Sequence, residues 1–256
     1  MKRMIPNSFS AVILAVVLTA CGGGYPPEIE GLIELPKYDK SISQRIIIHK
    51  GFVVSYNPEW KVPNWVAYEL TADETDGPYG RENHFDFDPS YEGWQADNSD
   101  YRNSGWSKGH MAPARHMKWD SSAMKESFYF TNICPQNESL NSHDWKYLED
   151  DCRRWANKYG RVYIACGPIV YSDHETIGNG KVAVPDYFFK VVLAPVNGIY
   201  TGIGFVFKNE AGHHPQDYYV RSIDEIEDIT GIDFFSSLPD EEEMNLESTF
   251  EAKYWK

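Results

Sequence analysis

One histidine stands in a setting that suits acid–base chemistry. His110 follows Gly109 and lies three residues before Pro113, which predicts the end of a turn or of a short strand. The ordinary pKa of imidazole is near neutral pH, and the positive charge of Lys108 is close in sequence, so His110 is a candidate general base. A single histidine is more often structural, so the assignment depends on the residues that accompany it.

A second segment supplies oxygen ligands and a positive charge. Asn141 precedes a predicted helix, and Glu149 lies eight residues further along it. An amide oxygen and a carboxylate suit a hard cation such as Mg²⁺, which prefers oxygen ligands and keeps several waters. Arg153 comes four residues after Glu149, which makes the two side chains neighbours on the helix surface. Taken alone, this pair is typical of a surface salt bridge.

The spacing within these segments is more specific than any single residue. The second segment reads Thr131-Asn-Ile-Cys-Pro-Gln136, then Leu140-Asn141, Trp145, Leu148-Glu149 and Arg153. It resembles the motif S-N-x-x-P-Q-x-x-x-L-N-x-x-x-W-x-x-L-E-x-x-x-R of the DNA/RNA non-specific endonuclease family, the endonuclease G-like ββα-metal (His-Me finger) nucleases. Threonine in place of serine is the one difference at the fixed positions of this motif, and the resemblance covers roughly residues 43–240.

The resemblance implies an α+β fold, with a central, largely antiparallel sheet flanked by helices. It also implies hydrolysis of DNA and RNA to 5′-phosphate and 3′-hydroxyl ends, with Mg²⁺ as cofactor and Mn²⁺ or another divalent cation as alternatives. In that scheme His110 is the general base, and Asn141 is the direct protein ligand of the metal. The remaining roles follow from the resemblance too: Glu149 holds metal-bound waters, Asn132 positions the His110 region or the phosphate, and Arg81, Lys108 and Arg153 bind the phosphate.

One position departs from the family pattern. Ser107-Lys108 stands where the family has Asp-Arg before Gly-His. Lysine keeps the positive charge but lacks the bidentate fork of arginine, and serine lacks the carboxylate. The departure leaves an alternative open, a catalytically weak nuclease-like lipoprotein that only binds nucleic acid or a partner. The presence of His110, Asn141 and Glu149 argues against that alternative.

Predicted strands and helices surround these segments. Runs over 45–50 and 52–56, separated by Gly51, predict a hairpin, and further strands are predicted at 64–70, 127–131, 162–166, 187–193 and 203–207. Residues 72–105 form a long polar loop. One helix is predicted from about His143 to Tyr159 with Ser142 as its cap, and another runs from Ser222 to Gly231.

The net charge of the chain disfavours a nucleic-acid substrate. Its 24 Lys and Arg residues face 38 Asp and Glu residues, a net charge of −14, and composition alone disfavours binding to a polyanion. The charge that matters is local, however. Basic residues near the two segments could form one positive cleft in an acidic body: Arg81, Arg102, Lys108, Arg115, Arg153 and Arg154.

The first residues read as an export signal. Lys2 and Arg3 precede an apolar run over 11–18, and small residues lead to Cys21, as in a bacterial lipobox. We expect a lipoprotein signal peptide at 1–20 and lipidation of Cys21, with an ordinary signal peptide as the alternative. The lipid would anchor the chain to a membrane of the bacterial cell envelope, on its periplasmic or cell-surface side.

The remaining boundaries follow from composition. We expect a flexible tether over 21–42, the endonuclease domain over 43–240 and an acidic tail over 241–256. An exported context permits one disulfide, whose pair the sequence does not fix, among Cys134, Cys152 and Cys166.

Overall fold

The β-branched and aromatic runs of the chain form strands, as their composition predicts. The computed structural model describes residues 24–248 and 250–256. Its strands are β1 (Arg45–Ile48), β2 (Val53–Asn57), β3 (Val62–Thr71), β4 (Ser107–His110), β5 (Ile133–Gln136), β6 (Arg161–Ile169), β7 (Thr176–Ile177), β8 (Val182–Ala183), β9 (Tyr187–Val196), β10 (Ile199–Lys208) and β11 (Val220–Arg221).

Seven of these strands make one central sheet in the order β1-β2-β3-β6-β9-β10-β11. Every neighbouring pair in it is antiparallel. The middle strands β3, β6 and β9 are buried along nearly their whole length because both faces of the sheet are covered. The predicted α+β fold with a largely antiparallel sheet is confirmed.

Helices cover the sheet and connect its strands. They are α1 (Asn98–Tyr101), α2 (Ser121–Glu126), α3 (Glu138–Ser142), α4 (Asp144–Tyr159), α5 (Ile223–Thr230) and α6 (Asp240–Glu247). The predicted ends of two helices are confirmed. Gly160 ends α4 with φ 86°, and Gly231 ends α5 in the left-handed conformation with φ 69°, a region that glycine adopts without strain.

The sheet separates two hydrophobic cores, which we call the α4 face and the α5/α6 face. On the α4 face, Trp145, Leu148, Cys152 and Trp155 of α4 are fully buried at the predicted helical spacing. On the α5/α6 face, the side chains of Ile223, Ile226 and Leu246 pack into the second core. Successive residues of β9 alternate between these cores, as the period of a strand requires.

The strands β4 and β5 form a separate antiparallel ribbon beside the α4 face. The chain leaves β5 at Gln136 and enters α3 and then α4 within eight residues. Two strands and a helix therefore follow one another around the segments that carry the candidate site.

Two local predictions are wrong. Residues 127–131 do not form a strand: α2 ends at Glu126, and Phe130–Asn132 make a 3-10 turn that leads into β5. Ser142 does not cap the long helix, because it belongs to α3, and His143 occupies the first cap position without a side-chain hydrogen bond. The side chain of Asn137 caps α3 instead, accepting from the N–H groups of Ser139 and Leu140.

The described parts of the predicted tether and tail are packed onto the domain. Ile29 and Leu35 are buried in the core of the α5/α6 face, so the expectation of a flexible tether is wrong for this stretch. In the predicted tail, α6 buries Leu246, and Trp255 packs edge-on against Trp155 with ring centroids 4.8 Å apart. The predicted signal peptide and Cys21 lie outside the described residues.

The three cysteines of the domain are free thiols. Cys134, Cys152 and Cys166 are all buried, and none forms the disulfide that an exported context permits. Within residues 24–248 and 250–256, no helix is both long and apolar enough to cross a bilayer.

Candidate active site

The position of His110 is set by the ribbon of β4 and β5. His110 is the last residue of β4 and pairs with Ile133, as the predicted strand end requires. A side chain on the preceding Gly109 would overlap the side chain of Gln136 across the ribbon, so only glycine allows the two strands this close approach. The imidazole is 7% exposed.

Asn132 fixes the backbone that follows His110. Its Nδ2 donates to the carbonyls of Ala112 at 2.9 Å and Ser127 at 2.8 Å, while its Oδ1 accepts from the N–H of Ala112 at 2.9 Å. The side chain is fully buried. Of the two roles expected for Asn132, this geometry favours positioning of the His110 region over contact with a phosphate.

Two aromatic rings hold the imidazole. The ring centroids of Phe85 and Phe128 lie 5.3 Å and 4.8 Å from that of His110. Burial lowers the pKa of His110 to about 3, and the positive charge of Arg81 contributes in the same direction. Its Nε2 is buried and makes no hydrogen bond with any described residue. The imidazole of His110 is therefore neutral at pH 7.

The same aromatic pair carries two positive charges. The guanidinium of Arg81 lies 5.2 Å from the ring centroid of Phe128, and the ammonium of Lys108 lies 4.4 Å from that of Phe85. Lys108 also donates to Oδ1 of Asn98 at 2.6 Å, and partial burial lowers its pKa. The structure thus brings two of the three predicted phosphate-binding residues, Arg81 and Lys108, to the surroundings of His110.

The long helix α4 connects to the same histidine. The indole Nε1 of Trp145 donates to the carbonyl of His110 at 3.2 Å. One turn further on, Glu149 is half-buried. Burial raises the pKa of its carboxyl to about 7, and the nearby charge of Lys190 opposes that rise. The Nε2–H of His116 donates to the backbone carbonyl of Glu149, 3.0 Å away, and so ties the helix to the segment after β4.

Arg153 lies one turn after Glu149 on α4, as its spacing predicts, but it forms no salt bridge with Glu149 among the described residues. Its Nε and Nη2 donate to the carbonyl of Thr75 at 3.0 Å and 2.9 Å, and its Nη1 lies 3.5 Å from Oδ1 of Asp150. Arg153 therefore holds the 72–105 loop against α4. Two other members of the predicted basic cleft, Arg115 and Arg154, also pair with carboxylates.

Asn141 lies in α3, half-buried and close in sequence to α4. Its backbone N–H donates to the carbonyl of Asn137, but its side-chain amide makes no hydrogen bond within the described part of the chain. An unengaged amide oxygen is a hard ligand for a divalent cation. The chemistry of Asn141 and Glu149 therefore fits a magnesium-type ion.

Comparison with known sequences establishes the family to which this chain belongs. The sequence profile described as DNA/RNA non-specific endonuclease matches residues 30–241. The chain belongs to the DNA/RNA non-specific endonuclease family.

Several members of this family are similar along most of the chain. Human mitochondrial nuclease EXOG is 35% identical over 208 residues, 74% of this chain and 56% of that protein. Mitochondrial nuclease 1 of Schizosaccharomyces pombe is 32% identical over 213 residues, covering 75% of this chain and 66% of its own. Nuclease C1 of Cunninghamella echinulata var. echinulata is 30% identical over 229 residues, covering 83% and 90%. The chain thus spans little more than half the length of the human relative.

A solved structure agrees with the fold. EndoG, in its complex with EndoGI, superposes with a TM-score of 0.76 at 27% sequence identity, covering 86% of this chain and 96% of that one. The expected ββα-metal nuclease fold is confirmed. The ribbon of β4 and β5 with α3 and α4 is the part of this endonuclease-family chain that holds its candidate site.

Two buried polar residues of this family member were not predicted as site residues. Lys190 on β9 is fully buried, and its ammonium lies 4.2 Å from the ring centroid of Trp145, without a hydrogen bond to any described residue. Gln136 is fully buried too, and neither its Nε2 nor its Oε1 has a partner in the described chain. The sequence carries a signal for Lys190, because it is a lysine inside the apolar run Tyr187–Val196 and lysine is rarely buried without a role.

Proposed function

We propose that this chain is a metal-dependent, sugar-non-specific endonuclease that hydrolyses DNA and RNA to 5′-phosphate and 3′-hydroxyl ends. The observation that carries the proposal is the setting of His110, a neutral buried imidazole with Arg81 and Lys108 on the rings that hold it. A basic nitrogen beside two positive charges suits a phosphodiester and the water that attacks it.

His110 takes the proton of the attacking water. Its pKa of about 3 in the unliganded site keeps the imidazole unprotonated. The negative charge of a bound phosphate would raise this pKa towards neutrality, where a general base works best. Trp145 and Asn132 hold the backbone on either side of the imidazole, so the ring is positioned before substrate binds.

Asn141 and Glu149 provide for a divalent cation. Asn141 would hold the ion through its amide oxygen, and Glu149 would hold its waters. When bound, the cation supplies positive charge that stabilises the phosphate oxygens. Mg²⁺ is the ion we propose, with Mn²⁺ as the first substitute to try.

Arg81 and Lys108 bind the phosphate of the substrate. Both are charge-assisted donors, and contacts to phosphate carry little sequence information. Because water is the nucleophile, the 2′-hydroxyl has no part in the reaction, and DNA and RNA are both substrates. The net charge of −14 opposes binding outside this site, so affinity is weak and falls with salt.

Cleavage of supercoiled plasmid tests the proposal. The native chain should nick plasmid in the presence of Mg²⁺, and EDTA should abolish this nicking. DNA ligase should reseal the nicks without prior phosphorylation, because they carry 5′-phosphate and 3′-hydroxyl ends. Asn141→Ala should lose cleavage and recover part of it at higher metal concentration. Cleavage that persists in EDTA or nicks that ligase cannot seal would contradict the mechanism.

A chain that only binds nucleic acid is the second candidate, favoured by Ser107-Lys108 in place of Asp-Arg. Lys108→Arg separates the two. The native chain would be a degenerate enzyme if it shifted labelled DNA in a gel without cutting it and the Lys108→Arg variant cut the same DNA. Cleavage by the native chain, with a modest change in Lys108→Arg, supports the endonuclease.

We also propose that Cys21 is lipidated and holds the domain at the cell envelope. The basic start, the apolar run and the small residues before Cys21 support this. Expressed in a bacterium, the native chain should enter the detergent phase of an envelope extract, and Cys21→Ser should stay in the aqueous phase. A native chain found only in the aqueous phase would contradict the anchor.

A further inference from the structure

Three carboxylates converge on the α5/α6 face, across the sheet from the candidate active site. Asp224 and Glu227 lie on α5, and Glu247 lies at the end of α6. One carboxylate oxygen from each lies within 4.8 Å of the other two. Oxygen ligands of Ca²⁺ lie about 2.4 Å from the ion, so two ligands on opposite sides of it are about 4.8 Å apart. The three oxygens can therefore reach one such ion.

Glu247 is buried without a partner. Its side chain is 8% exposed, and its Oε1 has no hydrogen bond to any residue in 24–248 or 250–256. Oε1 of Glu243, one helical turn earlier on α6, is also buried and unpaired within those ranges. An ionised carboxylate without a partner is costly to bury, so this arrangement requires a positive charge or a proton.

The residues that the structure describes supply little positive charge here. Lys37 reaches this region, and its ammonium is bound to Asp233 at 2.9 Å. Glu227 already accepts from the N–H of Phe234 through its Oε1, which fixes its orientation at the site.

The helix itself makes the arrangement unfavourable without a counter-ion. Asp240–Glu243 suit the positive end of the α6 dipole, but Glu247 lies at the negative end. Glu243 and Glu247 are also spaced i,i+4, so their like charges face each other. A cation between α5 and α6 would remove both penalties and would hold α6, with its buried Leu246, on the sheet.

We propose that Asp224, Glu227 and Glu247 bind a calcium ion that joins α6 to α5. Carboxylates on two short helices give the irregular all-oxygen site that Ca²⁺ accepts more readily than Mg²⁺, and water completes its coordination. The site lies on the face opposite His110 and Asn141, so its ion is structural and separate from the one proposed for cleavage.

Thermal unfolding in the Asn141→Ala background tests the proposal, because that change removes the direct protein ligand of the other ion. With 1 mM CaCl₂ at matched ionic strength, Tm should rise by roughly 3–10 °C, the shift that a ligand at about 10 to 100 times its Kd gives a chain of this size. Glu247→Gln should remove the shift, and titration calorimetry with CaCl₂ should show affinity at least about tenfold weaker.

Glu241→Gln is the matched control, since it makes the same charge change on the exposed side of α6 and should keep the full shift. Asp224→Asn serves as a second test at an exposed ligand should Glu247→Gln fold poorly. The absence of both a heat of binding and a Tm shift at 10 mM CaCl₂ would overturn the proposal. An equal shift with the native side chains and with both Glu247→Gln and Asp224→Asn would overturn it as well. An equal loss of the shift in Glu241→Gln would also overturn it, by showing general screening of the acidic surface.

Discussion

The two faces of the sheet differ in the charges that lie near their buried carboxylates. On the α4 face, Asn132 makes three hydrogen bonds, and the charge of Lys190 lies over an indole and acts on Glu149. On the α5/α6 face, Glu247 is buried among other acids without a partner in the described chain. On the first face the protein itself supplies the opposing charge, and on the second we assign that charge to the proposed calcium ion.

The largest expected difference between the faces is in catalysis. His110→Ala should lower the rate of plasmid nicking by about 10²–10⁴-fold, because a general base is lost. Glu247→Gln, on the other face, should leave the rate unchanged when both proteins are assayed in Mg²⁺ below their unfolding temperatures. Nicking by His110→Ala at more than a tenth of the native rate would contradict the assignment of the base.

Asn132→Ala should give the next largest effect, on stability. It leaves the N–H and carbonyl of Ala112 and the carbonyl of Ser127 without their partner, and each buried unpaired group costs about 1–3 kcal/mol. We expect the free energy of unfolding in urea to fall by about 3 kcal/mol or more. A fall below about 1 kcal/mol would show that water replaces the amide and that this face is less organised than its hydrogen bonds indicate.

Lys190→Met should separate activity from stability. Methionine fills similar space without a charge, and replacing a buried charge by an apolar group is often neutral or stabilising. The carboxyl of Glu149 then loses the charge that opposes its raised pKa, so it ionises only at higher pH. If the pKa rises by about one unit from about 7, the rate of cleavage at pH 7 should fall by roughly fivefold and recover as the pH rises.

Rates measured from pH 6 to 9 decide whether Lys190 acts through Glu149. Lys190→Arg keeps the charge and should keep the native pH profile. A fall in rate that is the same at every pH, or a profile of Lys190→Met that matches the native one, would limit Lys190 to a packing role beneath Trp145.

Ser222→Ala should give the smallest effect. The hydroxyl of Ser222 accepts from the N–H of Glu225, and the carboxylate of Glu225 accepts from the N–H of Ser222. Loss of this cap should reduce the free energy of unfolding by about 1 kcal/mol without changing the cleavage rate. A changed rate would show that the two faces are coupled through the sheet.

Much of the site is visible in the sequence because it depends on local spacing. The helical spacing of Trp145, Leu148, Cys152 and Trp155 predicts the buried side of α4, and the Gly109-His110 pair predicts the end of a strand. The motif marks His110, Asn132 and Glu149, and the structure places each of them on the α4 face or its ribbon.

The failures have a common physical cause, contact between distant parts of the chain. Arg153 binds the carbonyl of Thr75, 78 residues away, which spacing along a helix cannot show. Likewise, the acidic run of α6 resembles a solvated tail, and only its packing on the sheet reveals that Leu246 and Glu247 are buried. The contact between Lys190 and Trp145 cannot be predicted from the sequence for the same reason, since the two residues lie on different elements.

Because its three cysteines are free and buried, the folded domain should have the same stability under oxidising and reducing conditions. Burial raises the pKa of Cys152 to about 12 and of Cys166 to about 11, and that of Cys134 well above its ordinary value, so almost no thiolate is present at neutral pH. The domain therefore needs no oxidant to fold, and neither reductant nor an alkylating reagent should alter it in the native state.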